Sequence, residues 1–395
     1  MSVWSAREQA LIDGAKEIAT VLKSVPYKKW NATRDSSSKF FRLAAQKGLT
    51  GIEVPVESGG SGGSFKCKAL IAEILAGADF GFAMSIINTH NVANNIARSN
   101  DTNAPDDTSA SADTSASDAK RSALVSALLA ADNIACTALT EPHAGSDFSA
   151  ITTLAKPHGQ GWRIDGEKSW IINASVADWV LTYVQTKPGA GAAGIAAFLI
   201  DANRPGFIRN EHFGSEAASS LGTSSFKLDA YIASPQELIH PAGLAFKRAL
   251  HSINGARIYV AAMCCGMVAE CLRITTEYGA TRQAFGSSLQ EHQGWRWRIA
   301  DAAIDLEAAQ QMVLAASRAL DDGQPVVDLA SKAKVFATRM AEKHTAAMLH
   351  AMGANGLRDE YPFVRHMTAA QIASFTDGST EMLLERICKS QQHSH

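Results

Sequence analysis

A short polar loop at residues 140–147 has the composition of a ligand-binding turn. The sequence there reads TEPHAGSD. Pro142 and Gly145 break regular structure, and the short polar side chains can cap helices or bond backbone groups. We therefore expect the loop to present backbone N–H groups and hydroxyls, which can bind a phosphate or the polar edge of a heterocycle. A tight turn in a β domain is the alternative that the loop alone leaves open.

A second element, about twenty residues further on, supplies an aromatic ring. Trp162 and Ile164 alternate with polar residues as in a strand, and Asp165-Gly166 is typical of a hairpin turn. A second strand is then predicted over residues 170–172, ending at Asn173. Trp170 would place a flat ring beside whatever the loop binds.

The composition is that of an ordinary globular protein. The 395 residues are enough for two or three domains, and 46% are hydrophobic and 19% charged. A net charge of −2 does not indicate binding to nucleic acid or to an anionic membrane. We find no run of about 18 apolar residues, and the N-terminus lacks a secretory h-region. The six cysteines show no C-x-x-C or zinc spacing, so we expect reduced thiols, no metal site and a cytoplasmic protein.

Residues 1–132 are predicted to form a helical domain. Helical periodicity runs over Trp4–Val25, Ser37–Gly48, Phe65–Leu75 and Ala83–Ala97. Residues 99–121 contain no large apolar side chain, which predicts a mobile loop. We favour a surface insertion without a functional role there over a segment that docks a partner.

Two further domains are predicted. Residues 133–238 contain short strand-like runs separated by Pro- and Gly-rich turns, which is typical of a compact β domain. Residues 239–395 become helical again. The helical patterns cover Gly255–Gly279, Glu291–Leu320, Val326–Met352 and Thr380–Gln392.

The motifs resemble those of the acyl-CoA dehydrogenase family. TEPHAGSD followed by GEKSWIINA at 166–174 resembles its flavin-binding middle domain. Residues 278–293, 350–362 and 375–386 resemble three of its C-terminal motifs, and the resemblance covers nearly the whole chain. It implies an α+β multidomain fold: an N-terminal helical domain, a middle β-barrel or sandwich, and a C-terminal four-helix bundle. It also implies an FAD cofactor and a homodimer or homotetramer.

The resemblance further implies a set of FAD contacts. Those in the middle domain are Thr137, Leu139, Thr140, Gly145, Ser146, Trp170 and Ile172. Those in the C-terminal domain are Arg282, Phe285, Gln293, His350, Gly353 and Ser379. In the family, the arginine and phenylalanine reach across a dimer interface to the neighbour's flavin. Ile172 departs from the pattern because it lacks the family's hydroxyl, and His350 and Ala354 replace a glutamine and a glycine.

The last motif implies a catalytic base. FTDGSTEMLLER at 375–386 resembles the segment whose glutamate abstracts the α-proton of an acyl thioester, and the matching residue is Asp377. Aspartate keeps the carboxylate but is one methylene shorter. Some relatives carry the base at the position of Ala256, which cannot serve here. The residues themselves leave another interpretation open, because Asp377 could simply cap the following helix.

The resulting hypothesis is an FAD-dependent α,β-dehydrogenation of an acyl thioester in specialised metabolism. The implied substrate contacts are Ser146, Arg257, Asp377 and Gly378. The thioester carrier could be coenzyme A or an acyl carrier protein, and electrons would leave to an electron-transfer flavoprotein or to dioxygen. A flavin monooxygenase on the same fold and a catalytically degenerate scaffold are the alternatives.

Overall fold

A helical region, a β region and a second helical region follow one another along the chain. The computed structural model describes residues 4–26, 34–99, 114–211 and 214–392. This order confirms the predicted fold class.

Five described helices precede the sheet. They are α1 (Ala6–Ser24), α2 (Arg34–Gln46), α3 (Phe65–Ala78), α4 (Phe80–Ala97) and α5 (Thr114–Leu129). Helix α1 begins at a capping box, in which the Ser5 hydroxyl accepts from the Glu8 N–H while the Glu8 carboxylate accepts from the Ser5 N–H. The Asp79 carboxylate caps α4 by accepting from the Phe82 N–H at 2.8 Å.

The predicted loop at 99–121 is wrong in its second half. Residues 114–121 form the first half of α5, whereas 100–113 lie outside the described residues. The buried Val125 and Leu128 anchor the other half of the helix in the core. Once those turns pack, each further residue adds a backbone hydrogen bond without a new nucleation cost, so small polar residues can extend the helix.

The middle region is an eight-stranded mixed sheet. Its strands are β1 (Ala135–Ala138), β2 (Leu154–His158), β3 (Gly161–Ile171), β4 (Trp179–Gln185), β5 (Ile195–Asp201), β6 (Phe207–Arg209), β7 (Ser224–Ala233) and β8 (Leu238–His240). The order is β6-β7-β3-β2-β4-β5-β8, with β1 pairing parallel to β4. Most neighbouring pairs are antiparallel. Along each strand, successive side chains alternate between the two faces of the sheet.

The predicted hairpin turn at Asp165-Gly166 is wrong. Strand β3 continues through these residues, and the chain reverses instead between His158 and Gly161, which are paired across β2 and β3. The register between β3 and β7 shifts between Ile164 and Gly166, which marks a bulge. A Cβ at Gly166 would lie 2.6 Å from the Thr153 Cα. The glycine is therefore required by a close backbone approach rather than by a turn.

Five helices and a small hairpin complete the described chain. The helices are α6 (Ala245–Thr281), α7 (Gln293–Asp321), α8 (Val327–Met352), α9 (Phe363–Phe375) and α10 (Thr380–Gln392). The hairpin joins β9 (Gln283–Ala284) to β10 (Ser287–Ser288) between α6 and α7. The sequence patterns identified four of these helices, and α10 has the predicted bounds. They missed α9.

Helix α6 is the central helix of the molecule. It passes the length and composition test for a membrane span, with a mean hydropathy of 1.5 over an 18-residue window, although we expected no such segment. However, 78% of that window is buried inside the protein. Its core residues from Ala256 to Val268 belong to one hydrophobic cluster that also includes residues of α1, α3, α4, α8 and α9, whereas Ala245, Ala249 and Cys271 belong to other clusters. The two helical regions therefore share a core built around α6.

Candidate active site

A buried ion pair fastens the TEPHAGSD loop to strand β3. The Lys168 ammonium donates to a Glu141 carboxylate oxygen at 2.9 Å and to the Leu139 carbonyl at 2.9 Å. Glu141 also accepts hydrogen bonds from the backbone N–H groups of Thr152 and Thr153 at 2.6 and 2.9 Å. Burial alone would raise the pKa of Glu141, but the Lys168 charge and these hydrogen bonds lower it to about 2. The loop is thus held by its own glutamate.

The middle-domain candidates lie along this loop and at the end of β3. Thr137, Leu139 and Thr140 are half-buried, whereas Gly145 and Ser146 are exposed. The Ser169 N–H donates to the Thr140 carbonyl at 3.0 Å, which brings the ends of the loop and the strand together. Trp170 follows with a φ of +59° and 64% of its surface exposed. The structure therefore gathers these residues at one place.

Ile172 lies at the junction between the sheet and the helices. It is half-buried and packs against the helical core cluster. Its neighbour Asn173 is buried with a φ of +68°, and its amide donates to the carbonyls of Ser85 and Ala135 at 3.0 and 3.2 Å. Asn173 thus cross-links β3, β1 and helix α4.

The remaining cofactor candidates, apart from Ser379, lie at the far end of α6. Phe285 and Gly286 form the two-residue turn of the β9–β10 hairpin, with φ values of +53° and +82°. Positive φ at both positions is typical of a type I′ turn. Phe285 is 100% exposed, and Arg282 and Gln293 are also exposed. A strained, fully exposed aromatic side chain is a recognised feature of contact sites.

The end of α8 reaches the same place. The Asn355 amide donates to the Tyr278 hydroxyl at 2.8 Å, and the Trp295 indole N–H donates to the Ala351 carbonyl at 3.0 Å. These bonds hold His350 and Gly353, both exposed, beside the end of α6. The structure therefore brings His350 and Gly353 to the same end of the bundle as the hairpin.

Arg257 lies in the first half of α6, and Arg282 directly follows its last residue. They are about 25 residues apart, which corresponds to roughly 37 Å at 1.5 Å per residue. Within one chain, Arg257 and the β9–β10 hairpin therefore cannot line the same small site.

The carboxyl-terminal candidates occupy the loop between α9 and α10. Asp377 has a φ of +55° and Gly378 a φ of +108°. The Ser379 hydroxyl accepts from the Met382 N–H at 3.3 Å, and the Ser379 carbonyl accepts from the Leu383 N–H. Ser379 therefore caps α10, which leaves the Asp377 side chain free of that role. Among the described residues, neither its carboxylate nor its backbone N–H has a hydrogen-bond partner.

Two cations flank Asp377. The buried Arg257 donates from Nε to the Asp377 carbonyl at 3.1 Å and from a terminal nitrogen to Asn254 Oδ1 at 2.7 Å. Lys334 on α8 is buried and donates to the Gly378 carbonyl. Burial raises the pKa of Asp377, while Lys334 and then Arg257 act in the opposite direction. This arrangement suits a general base in a site from which water is largely excluded.

Sequence patterns missed three residues that build this site. Glu141 and Lys168 occur in the two motifs, but the sequence patterns assigned neither residue a role. Their ion pair joins segments separated by a turn and a strand. Lys334 carries no local signal, because it lies within an uninterrupted helical pattern. A lysine on an otherwise apolar helix face was the one available hint. Among the described residues, no group of three or more His, Cys, Asp or Glu side chains could hold a metal ion.

Comparisons with known proteins agree across the chain. Residues 5–101, 136–231 and 246–391 match the family descriptions "Acyl-CoA dehydrogenase, N-terminal domain", "middle domain" and "C-terminal domain". The rat mitochondrial short/branched chain specific acyl-CoA dehydrogenase is 29% identical over 362 residues, covering 91% of this chain and 80% of the rat protein.

Solved structures show the same fold over the full length. Butyryl-CoA dehydrogenase from Megasphaera elsdenii superposes with a TM-score of 0.87 at 24% identity, covering 99% of this chain and 100% of that one. A structure described as PigA with FAD and proline gives a TM-score of 0.87 at 23% identity, with both chains covered in full. With all three domains matched in order, the chain belongs to the acyl-CoA dehydrogenase family, whose members are oxidoreductases acting on CH–CH groups.

Proposed function

We propose that this protein is an FAD-dependent dehydrogenase that introduces a double bond between the α and β carbons of an acyl thioester. The observation that carries the proposal is the state of Asp377. Asp377 matches the family's base in sequence position, its side chain takes no part in helix capping, and Arg257 and Lys334 donate to the backbone carbonyls of Asp377 and Gly378.

The chemistry of the candidate cofactor residues fits FAD. In the middle domain, the exposed Trp170 ring offers an aromatic face, and Thr140 and Ser146 offer hydroxyls. At the hairpin end, Arg282 can bind a pyrophosphate by charge-assisted hydrogen bonds, and Phe285 can cover a flat ring. When bound, FAD would supply the hydride acceptor for the β-carbon.

The full set of proposed cofactor contacts comes from two domains, the middle domain and the C-terminal domain. It comprises Thr137, Leu139, Thr140, Gly145, Ser146, Trp170 and Ile172, together with Arg282, Phe285, Gln293, His350, Gly353 and Ser379.

The chain's own residues would bind the thioester and remove its α-proton. The Asp377 backbone N–H, which donates to no described group, can donate to the thioester carbonyl and so acidify the α-carbon. The Asp377 carboxylate then accepts the α-proton on an oxygen. Ser146, Arg257 and Gly378 complete the proposed substrate contacts. The raised pKa of Asp377 makes it a stronger base than an exposed aspartate.

We propose that each cofactor site combines the middle domain of one subunit with the hairpin end of another. The full exposure of Phe285 and the roughly 37 Å along α6 between Arg257 and Arg282 support this arrangement. The minimal unit is then a homodimer, and two dimers would make a tetramer. We further propose an electron-transfer flavoprotein as acceptor and a cytoplasmic enzyme of specialised metabolism. The six cysteines support that compartment, since all of them are free thiols in the structure.

A flavin monooxygenase is the second candidate. Ile172 favours it, because a side chain without a hydroxyl packs into the core where the family presents a hydrogen-bond donor. The retained carboxylate at Asp377 favours the dehydrogenase. A scaffold without turnover is the third possibility, and it predicts a protein that does not retain flavin.

One titration separates the three. The purified protein, loaded with FAD, is titrated anaerobically with acyl-CoA and then with acyl-carrier-protein thioesters while its visible absorbance is recorded. Bleaching by one class supports the dehydrogenase and names its carrier. A yellow protein that no thioester bleaches contradicts the proposal in favour of the monooxygenase, and a protein that stays colourless after FAD addition favours the scaffold.

A further inference from the structure

Lys334 is a buried lysine in the middle of helix α8. Only 1% of its surface is exposed, and its ammonium group has no carboxylate within ion-pair distance among the described residues. A buried, unpaired ammonium is costly and needs compensating hydrogen bonds. Its partners are two backbone carbonyls, those of Ser374 at 3.4 Å and of Gly378.

These two carbonyls belong to residues that precede and follow Asp377 in the sequence. Ser374 belongs to the last turn of α9, and Gly378 follows Asp377 directly. Arg257 adds a third anchor, because its Nε donates to the Asp377 carbonyl at 3.1 Å. The backbone is thus tied before, at and after a residue whose φ is +55°. Such a conformation persists where the surroundings determine it strongly.

The charges around this loop come from three helices. Lys334 on α8 and Arg257 on α6 are the cations that lower the pKa of Asp377, with Lys334 the stronger of the two. Arg386 on α10 acts on Arg257, whereas Cys264 and Tyr259 on α6 are protonated because burial raises the pKa of each. Burial lowers the pKa of Lys334 to about 8, and Asp377 opposes that effect, so Lys334 is mostly charged at pH 7.

We propose that Lys334 is a positioning residue for the base: it fixes the backbone on both sides of Asp377 and keeps a positive charge beside the carboxylate. The proposal rests on the proposed dehydrogenase for its kinetic consequences, but the electrostatic part concerns the protein alone. The lysine reaches the reacting atoms only through the Asp377 loop.

The test compares five proteins, each loaded with FAD: the wild type, Asp377→Asn and three lysine variants. Lys334→Met removes the charge and the donors at similar volume, and Lys334→Gln keeps donors without the charge. Lys332→Met is the matched control, since Lys332 lies on the same helix but is 37% exposed and pairs with Asp328. Two quantities are measured against pH: the rate of anaerobic bleaching by a thioester that bleaches the wild type, and the infrared band of the Asp377 carboxyl, identified by its loss in Asp377→Asn.

We expect Lys334→Met to bleach on the order of tenfold to a hundredfold more slowly than wild type at pH 7, with thioester affinity within about threefold. Both the acid limb of its rate profile and the infrared titration of Asp377 should move to higher pH. Lys334→Gln should show the same shift with a smaller loss of rate, and Lys332→Met should match the wild type.

Two results would overturn the proposal. One is an Asp377 band that titrates identically in wild type and in both Lys334 variants. The other is a rate that falls equally at every pH together with thioester affinity, as general loosening would produce. If no thioester bleaches the wild type, the proposed function fails, whereas the infrared titration still decides whether Lys334 tunes Asp377.

Discussion

Backbone strain is concentrated at the residues that would do the chemistry. Within the described part of the chain, the non-glycine residues with positive φ are Ala131, Trp170, Asn173, Ala230, Phe285 and Asp377. Four of these six belong to the candidate site or adjoin it. Positive φ costs a non-glycine residue free energy, so these conformations must be enforced by the surrounding packing and hydrogen bonds. At Asp377 the enforcing groups are Arg257 and Lys334.

Asp377→Asn should abolish most of the reductive reaction while leaving the protein folded. Asparagine has nearly the same shape but cannot accept the α-proton, and a positioned general base contributes roughly a hundredfold to ten-thousandfold. The measurement is the anaerobic bleaching rate at saturating thioester, with flavin content and oligomeric state as controls. A variant that bleaches at the wild-type rate would show that another group is the base.

Arg282→Ala should weaken FAD binding without changing the fold. The side chain is exposed, so its loss leaves no cavity, but a charge-assisted contact to a phosphate would disappear. A loss of about 1.5–3 kcal/mol corresponds to roughly 10- to 150-fold in FAD affinity. Fluorescence titration of the flavin-free protein measures it. Unchanged affinity would mean that the hairpin end does not contact the cofactor.

At the scale of elements, one ion pair connects the two halves of the middle-domain motif. Glu141 lies in the loop after β1 and Lys168 lies in β3, and their side chains are 4% and 0% exposed. A buried pair of this kind adds little stability compared with apolar residues of similar size. Its value here lies in fixing the loop that carries Gly145 and Ser146 against the strand that ends at Trp170.

Lys168→Met should therefore destabilise the protein by about 3–5 kcal/mol at pH 7, because it leaves the Glu141 carboxylate buried without a counter-ion. Without Lys168 the carboxylate protonates more readily, so the penalty should be smaller at pH 4. Urea unfolding at both pH values measures it. Lys227→Met is the control: Lys227 pairs with Asp229 at 3.4 Å on the surface, and its loss should cost less than about 1 kcal/mol. Equal penalties for the two variants would contradict the argument.

At the scale of the whole molecule, helix α6 separates Arg257 from the β9–β10 hairpin. Arg257 lies beside Asp377 and Arg282 at the hairpin, roughly 37 Å away along the helix. In the proposed dimer, the hairpin of one subunit reaches the cofactor site of the other. The full exposure of Phe285 fits that arrangement.

Flavin retention should consequently depend on protein concentration. Dilution below the dimer dissociation constant should release FAD and subunits together, since each site needs both chains. Sedimentation velocity recorded at the flavin wavelength follows both. Phe285→Ala should weaken FAD retention at concentrations where the dimer persists. Monomers that keep their flavin would contradict a shared site.

Acid should destabilise the fold over a defined range. Glu53, paired with Lys68 and His90, and Glu141 both have folded-state pKa values lowered from 4.5 to about 2. For a lowered pKa the stabilising contribution is complete above 4.5 and is lost as the pH falls towards 2, because the unfolded chain binds protons first. The unfolding free energy should therefore fall between pH 4.5 and 2. A flat profile over that range would show that these carboxylates are not held as ions.

Local elements follow from the sequence, because periodicity and turn chemistry act over a few residues. The sequence patterns identified eight of the ten described helices in part or whole, the β character of the middle region, and the family motifs. They failed where distant segments decide the outcome. Asp165-Gly166 has the composition of a turn, yet β7 pairs with β3 on both sides of it, so the strand continues through a bulge. Residues 114–121 are polar, yet they extend the helix whose buried end packs in the core.

The way in which Asp377 is held depends on packing between distant segments. The same letters, TDGST, could begin a helix with Asp377 as its cap, and short-range rules do not distinguish that from a free carboxylate. The distinction comes from Ser379, which caps α10, and from Arg257 and Lys334, which lie about 120 and 43 residues earlier in the chain. Those contacts depend on the packing of α6 and α8 against the loop, since no local pattern encodes which distant cation reaches a given carbonyl.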